Sequence, residues 1–190
     1  MNKMILNIQN LDFNLRYLKS KTNRKICAVV KANAYGHGMQ EIVKALRKKV
    51  DFFACANLDE AILLRNVDKQ TPTLVLFDCQ DFDLAIKNNL SVCIHTFDQI
   101  KLLTKKHKNL KVHIAFNSGM NRFGFCNFKG FKKAFAMLEK KCKIEGIYTH
   151  FNTICSDNQT YKEQIKQIIA ILEGKTEELV KQLKQEEKIE

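Results

Sequence analysis

A chain of 190 residues with 45% apolar and 27% charged side chains has the size and balance of one soluble globular domain built on a single core. Its net charge of +12 comes from lysines scattered through helical stretches, with five arginines in all and no basic patch interleaved with aromatics, which argues for a solvated surface and against nucleic acid. No run nears the ~20 apolar residues that cross a bilayer, and the N-terminus is too short and polar for a secretory signal. Seven cysteines without a C-x-x-C pair give no disulfide framework, so a cytoplasmic protein with reduced thiols is predicted.

Ile5, Ile8, Leu11, Leu15 and Leu18 recur at helical spacing and predict an amphipathic first helix packed on the next elements of the chain. After a polar connector, residues 26–30 form a short β-branched apolar run, read as a strand buried on both faces that ends on Lys31. A helix over 40–49 turns Ile42, Val43 and Leu46 to one side, and a second strand covers 52–56. Asn57 caps a helix through residue 65, a strand covers 73–77, and a helix over 81–88 turns Phe82, Ala85 and Ile86 inward. Strands over 91–95, 110–116 and 143–148 alternate with helices over 97–103 and 129–138. Beyond residue 161 the chain reads as a last helix rich in Gln, Glu and Lys and a charged helical tail over about 166–190, in which Leu179, Val180, Leu183 and Ile189 are the only apolar anchors of 174–190. Strict alternation predicts consecutive parallel βαβ units, which a doubly wound sheet and a β/α barrel satisfy equally.

Three stretches carry chemistry. Lys31 stands where a parallel strand hands over to its connection, with apolar residues before it and small ones after. Partial desolvation there favours a neutral, nucleophilic amine of the kind that condenses with a carbonyl. The loop Asn117-Ser118-Gly119-Met120-Asn121-Arg122-Phe123-Gly124-Phe125 comes after the fifth strand and presents Arg122, whose permanently charged fork of donors suits an anionic oxygen. Gly146-Ile147-Tyr148-Thr149-His150-Phe151 closes the sixth strand on His150. His37, His95, His107 and His113 have neither metal-ligand spacing nor a carboxylate partner in the sequence and are read as structural.

The run Val29-Val30-Lys31-Ala32-Asn33-Ala34-Tyr35-Gly36-His37-Gly38 closely resembles the pyridoxal-phosphate lysine signature of alanine racemases. The Arg122 loop resembles that family's Gly-Met-Asn-Arg-Leu-Gly-Phe element, and the His150 segment its Gly-x-x-Thr-His-Phe element. The resemblance implies an α/β fold, a partial TIM-type (β/α) barrel with about six of eight parallel strands and helices outside, as one incomplete domain over 1–190. It implies pyridoxal 5'-phosphate as cofactor, carried on Lys31, which also exchanges the Cα proton of substrate on one face. By the same resemblance Tyr35 reaches the phosphate, Arg122 holds the phenolate oxygen near the substrate carboxylate, and His150 packs on the pyridine ring.

The implied reaction interconverts L-alanine and D-alanine for peptidoglycan precursors, in a family that works as homodimers. Two departures stand out: Asn117 replaces a common aspartate, and Ala115 a lysine that is often carbamylated and steadies the arginine. Arg122 is then expected to be oriented by Asn117 or a bound anion. The family's phosphate loops after strands seven and eight, its arginine at the pyridine nitrogen and the tyrosine from the partner's second domain have no counterpart in these 190 residues, so the chain reads as truncated, with self-association expected. The alternative is a non-catalytic pyridoxal-phosphate carrier or an inactive fragment.

Overall fold

The computed structural model describes residues 4–152 and 159–172. The polypeptide gathers into two compact units divided after Cys93.

The first unit runs α1 (Ile8–Lys21), β1 (Cys27–Val29), α2 (Lys31–Tyr35), α3 (Met39–Leu46), β2 (Phe52–Asn57), α4 (Leu58–Arg65), β3 (Thr73–Asp78), α5 (Phe82–Lys87) and β4 (Ser91–Ile94), whose last residue opens the second unit. Neighbouring strands pair in parallel and in chain order, with Val29 beside Ala54, Cys55 beside Val75 and Val75 beside Val92. Since side chains alternate along a strand, this register gathers Phe53, Cys55, Val75 and Val92 on one face. All four are closed to solvent, as are Ala61 and Leu64 of α4, which packs on β2 and β3. Each fully buried phenylalanine, valine or leucine among them contributes ~1.5–3 kcal/mol relative to exposure. Burial pushes the Cys55 thiol up to about 12, so it acts as a small hydrophobe.

Asparagine and aspartate caps start the helices where the sequence places them. Asn57 Oδ1 accepts from Glu60 N at 3.0 Å and Asp81 Oδ1 from Leu84 N at 2.8 Å. Arg65, at the end of α4, is buried and feeds five acceptors: the carbonyls of Asp68, Thr71, Asn88 and Asn89 and the Thr73 hydroxyl, at 2.9–3.1 Å. It fastens the turns before β3 and β4 from one point.

Two expectations are corrected. Of the first helix's apolar stripe only Leu15 is buried, while Ile5 is 82% and Leu18 54% exposed. The lysine strand is three residues long with Cys27 and Val29 exposed, because as the first strand of the sheet it has β2 on one side only.

The second unit contains α6 (Phe97–Leu102), the 3-10 turn η1 (Lys105–His107), β5 (Lys111–Ala115), α7 (Phe128–Glu139), β6 (Lys143–Tyr148) and α8 (Gln159–Leu172). β5 and β6 are parallel, with Ala115 beside Tyr148 and a register shift after Val112 that leaves Glu145 as the extra residue. Ile100, Leu110, Val112, Ile114, Ala134 and Leu138 form its buried centre. A capping box of Thr96 and Gln99 starts α6, and Lys141 Nζ donates to the carbonyls of Ile100 and Leu103 at its end.

His95 and His107 are buried, the first against the Phe123 ring at 5.1 Å and the second accepting from Thr104 N at 3.0 Å through Nδ1. His113 departs from its reading: the strand pairing brings Glu145 to 3.8 Å of Nε2, a carboxylate partner 32 positions away that spacing could not show. Of the predicted tail, residues up to Leu172 belong to α8, and 173–190 lie outside the described residues.

Candidate functional site

The motif residues fall in two clusters, one in each unit. In the first, Val30 N makes the last bond of its strand to Ala54 O at 2.8 Å, and the chain then turns the wrong way for L-residues. Ala32, Asn33, Ala34 and Tyr35 all stand in the left-handed region, with φ between 50° and 55°. Left-handed backbone costs most residues roughly 1–2 kcal/mol each, and asparagine less, so a run with Ala32, Ala34 and Tyr35 in it persists only because its surroundings dictate it.

Internal bonds close it: Ala34 N to Val30 O at 2.8 Å, Gly36 N to Ala32 O at 3.0 Å and Gly38 N to Asn33 O at 2.9 Å. Gly36, at φ 86°, ends the turn where a side chain would be strained. Asn33 Oδ1 accepts from Met39 N at 2.8 Å and so ties the turn to the start of α3. From outside, the Glu60 carboxylate accepts from Ala32 N at 2.7 Å with one oxygen and from Ala56 N at 2.8 Å with the other.

Lys31 is half-buried at the head of this turn. Its Nζ lies 4.7 Å from the centroid of the Phe77 ring and 5.9 Å from that of Tyr35. Tyr35 itself is 61% exposed. Lysine and tyrosine thus stand side by side in one turn.

In the second unit, Phe116 N donates to Tyr148 O at 2.8 Å, and the loop after it is closed by Phe125 N to Ala115 O at 2.9 Å and Asn117 N to Phe125 O at 3.1 Å. Asn117 is its organiser. Oδ1 accepts from Gly119 N and Asn121 N, both at 3.0 Å, while Nδ2 donates to Asn121 Oδ1 at 3.0 Å. Asn117 therefore shapes the backbone under Arg122 instead of gripping the guanidinium, which lies 5.7 Å from the Phe123 ring.

Thr149 joins the two motifs: its hydroxyl donates to Phe116 O at 2.8 Å and lies 2.8 Å from the Ser118 hydroxyl. Behind the loop, Asn152 Nδ2 reaches Gly119 O at 3.2 Å, and the buried Gln164 of α8 donates to Asn152 Oδ1 at 2.6 Å. Arg122 and His150, both exposed, line one small cleft of about 10 Å³ with Ala115, Asn117, Phe123 and Tyr148. That is room for about one water-sized group.

Glu60, Phe77, Thr149 and Gln164 are the residues that sequence reasoning passed over. Only Glu60 left a signal, the Asn-x-x-Glu spacing of a helix start over residues 57–60. The first cluster offers a nucleophilic amine and a phenol, the second a guanidinium and an imidazole, each at the end of a parallel strand or in the loop after it. Taken separately, the amine and phenol of the first cluster suit a carbonyl and an anionic oxygen, and the guanidinium and imidazole of the second suit an anionic oxygen and a flat ring. Among the described residues no group of histidine, cysteine and carboxylate side chains is arranged to hold a metal, and no helix is long and apolar enough to cross a membrane.

Residues 6–185 match the sequence profile described as alanine racemase, N-terminal domain. The alanine racemase of Ligilactobacillus salivarius is 37% identical over 180 residues, which is 90% of this chain and 47% of that protein. That of Streptococcus pyogenes is 40% identical over 161 residues, 80% of this chain and 44% of its own length. The chain thus spans about half the length of the curated relatives it matches. Among solved structures, alanine racemase of Clostridium difficile in complex with cycloserine superposes with a TM-score of 0.78 at 30% identity, over 93% of this chain and 53% of that one. The histidine racemase of Leuconostoc mesenteroides does so at 0.76 and 28%, over 84% and 46%. The α/β fold, with parallel strands alternating with helices, agrees with the partial TIM-type barrel that the sequence resemblance implied, and the chain belongs to the family of alanine racemase N-terminal domains.

Proposed function

We propose that this chain is the pyridoxal-phosphate-binding part of an alanine racemase acting in the cytoplasm, with Lys31 as the residue that takes the cofactor. The observation that carries the reading is the strained left-handed turn of Ala32 to Tyr35, built directly after a lysine at a strand end in a chain of this family. The residues present suit the cofactor, offering an amine for its aldehyde, cationic and hydroxyl donors for its oxygens and flat side chains for its ring. When bound, the cofactor supplies the electron sink that makes the substrate Cα proton acidic.

Lys31 then has two tasks, to hold the cofactor through its amine and, once freed, to take and return the Cα proton on one face. Arg122 stays protonated and offers its fork to the phenolate oxygen and the alanine carboxylate. Tyr35 is a hydroxyl donor for the phosphate, and His150 a flat partner for the ring. Racemisation also needs an acid–base group on the opposite face, and none of the chain's tyrosines is assigned to it. Positioned acid–base catalysis is worth about 10²–10⁴-fold, so the 190-residue chain alone is expected to form D-alanine slower by that order than a complete racemase, and an acid–base group from outside these 190 residues is proposed to complete it.

The test is to mix the chain with pyridoxal phosphate, reduce with borohydride and map the labelled peptide. Label on Lys31 is expected; label on another lysine with Lys31 clean would overturn the reading. Arg122→Ala should weaken cofactor binding far more than Arg16→Ala, since Arg16 is exposed on α1, well before the lysine motif in sequence. Equal effects would remove Arg122 from the site.

A further inference from the structure

We infer that Glu60 is a positioning residue for Lys31: its carboxylate clamps the left-handed turn on which the lysine stands. The inference rests on the proposal that Lys31 takes the cofactor and adds to it a residue that touches neither cofactor nor substrate. Within the turn, the N–H groups of Ala34 and Gly36 find acceptors on Val30 and Ala32. The N–H of Ala32, at the start of the turn, has no such acceptor, as happens at the first residues of any helical turn. Glu60 Oε1 supplies one at 2.7 Å, from 28 residues away in sequence. Its other oxygen holds Ala56 N at 2.8 Å, so one carboxylate bridges the ends of two adjacent parallel strands.

The arrangement calls for a carboxylate. Two N–H donors approach one side chain from different strands, and only a carboxylate presents an acceptor to each, with the added strength of charge. Glutamine would satisfy one and set its NH₂ against the other. Aspartate is a methylene shorter and cannot keep both distances. Glu60 is itself fixed, because its N–H donates to Asn57 Oδ1 at 3.0 Å, and the first turn of α4 favours negative charge. An ordinary capping box would turn this side chain back to Asn57 N. Here it reaches past the cap to the turn beside Lys31.

The consequence concerns where the amine points. Ala32 comes directly after Lys31, and a residue released from left-handed backbone relaxes to right-handed or extended conformations, swinging the preceding side chain with it. A lysine competent in only a fraction of molecules binds its ligand more weakly in proportion to that fraction.

The test uses the 190-residue chain with Glu60→Gln and Glu60→Asp, and Asp81→Ala as a control that removes the α5 cap at a distance in sequence. Without cofactor, hydrogen exchange of the Ala32 and Ala56 amides should quicken roughly 10- to 100-fold in Glu60→Gln, as loss of a charged hydrogen bond predicts, while Val43 and Leu64 keep wild-type protection. With pyridoxal phosphate, Glu60→Gln should need about tenfold more cofactor for the same borohydride-trapped label on Lys31, Glu60→Asp should recover part of both effects, and Asp81→Ala should change neither. Unchanged Ala32 exchange in both Glu60 variants would overturn the clamp. Faster exchange with unaltered trapping at Lys31 would overturn its positioning role. If wild-type chain takes no label on Lys31, the reading of the site fails, and the Ala32 exchange still decides whether the clamp exists. Should Glu60→Gln not fold, Glu60→Asp carries the same comparisons.

Discussion

The turn after β1 and the loop after β5 do the same job, presenting a motif side chain just past the end of a parallel strand, and they are held by opposite means. The lysine turn puts four consecutive non-glycine residues in left-handed backbone and is braced by a charged carboxylate 28 residues away. In the arginine loop the only non-glycine residue at positive φ is Asn121, and the brace is a neutral amide at the loop's own start, helped by the backbone bridge between Phe116 and Phe125. Strain that is spread over a run needs a partner from elsewhere in the fold. Strain confined to one asparagine and two glycines can be met locally, since those residues enter the left-handed region at little cost.

The difference can be broken most forcefully at Gly124. A Cβ there would sit 2.8 Å from the Ala115 carbonyl oxygen and 3.0 Å from Asn117 N, both backbone atoms, and φ is 101°. Gly124→Ala should therefore open the loop, lose the two bonds that close it and destabilise the second unit by about 2–3 kcal/mol, read from urea unfolding. Cofactor labelling of Lys31 should persist while Arg122→Ala ceases to matter. A variant as stable as wild type would show that the loop is not locally locked.

A smaller change sharpens the comparison from the other side. Ala32→Gly removes a Cβ from a residue at φ 50°, so the folded turn loses strain while the unfolded chain gains freedom. The expected net result is a stabilisation of up to about 1 kcal/mol, in contrast to the loss that alanine-to-glycine changes bring in ordinary helix. A loss of stability at Ala32 would mean that the turn is not under strain.

The smallest expected effect is a dependence on pH that belongs to the second unit. Burial holds the His113 imidazolium below the ordinary histidine value of 6.5, and the neighbouring Glu145, which favours the proton, only partly offsets this. The native state then binds fewer protons than the unfolded chain, so this contribution is complete above 6.5 and is lost as pH falls below it. Denaturant midpoints should drop on acidification through that range and flatten in His113→Gln. An unaltered slope in the variant would assign the pH dependence to other groups.

Much of the fold was legible because it is written at short range. The alternation of apolar strands with helices predicted each described strand of the first and second units to within a residue or two at each end, and Asn57 and Asp81 cap where their side chains say they should. The first helix departs from its pattern for a physical reason. Periodicity reports that an apolar stripe exists, and whether anything covers it is decided by neighbours that the pattern cannot name. Arg65 is the converse case, a residue that composition alone assigns to the surface and that five acceptors from the turns around it draw into the interior.

By itself the sequence determined the class of fold, the family, and which side chains are candidates for chemistry, since residue type and spacing decide what an amine or a guanidinium can do. The tertiary structure alone decided how those side chains are held. The spacing of Asn57 and Glu60 announces a helix start, but Glu60 spends its carboxylate on Ala32 and Ala56 because parallel pairing of β1 with β2 brings two unpaired N–H groups within its reach. In the same way His113 acquires Glu145 through strand register, and Gln164 reaches the Gly119 loop through Asn152. Hydrogen bonds of this kind join groups distant along the chain. Their partners are fixed only when the strands find their register, which is why no local pattern foretold them.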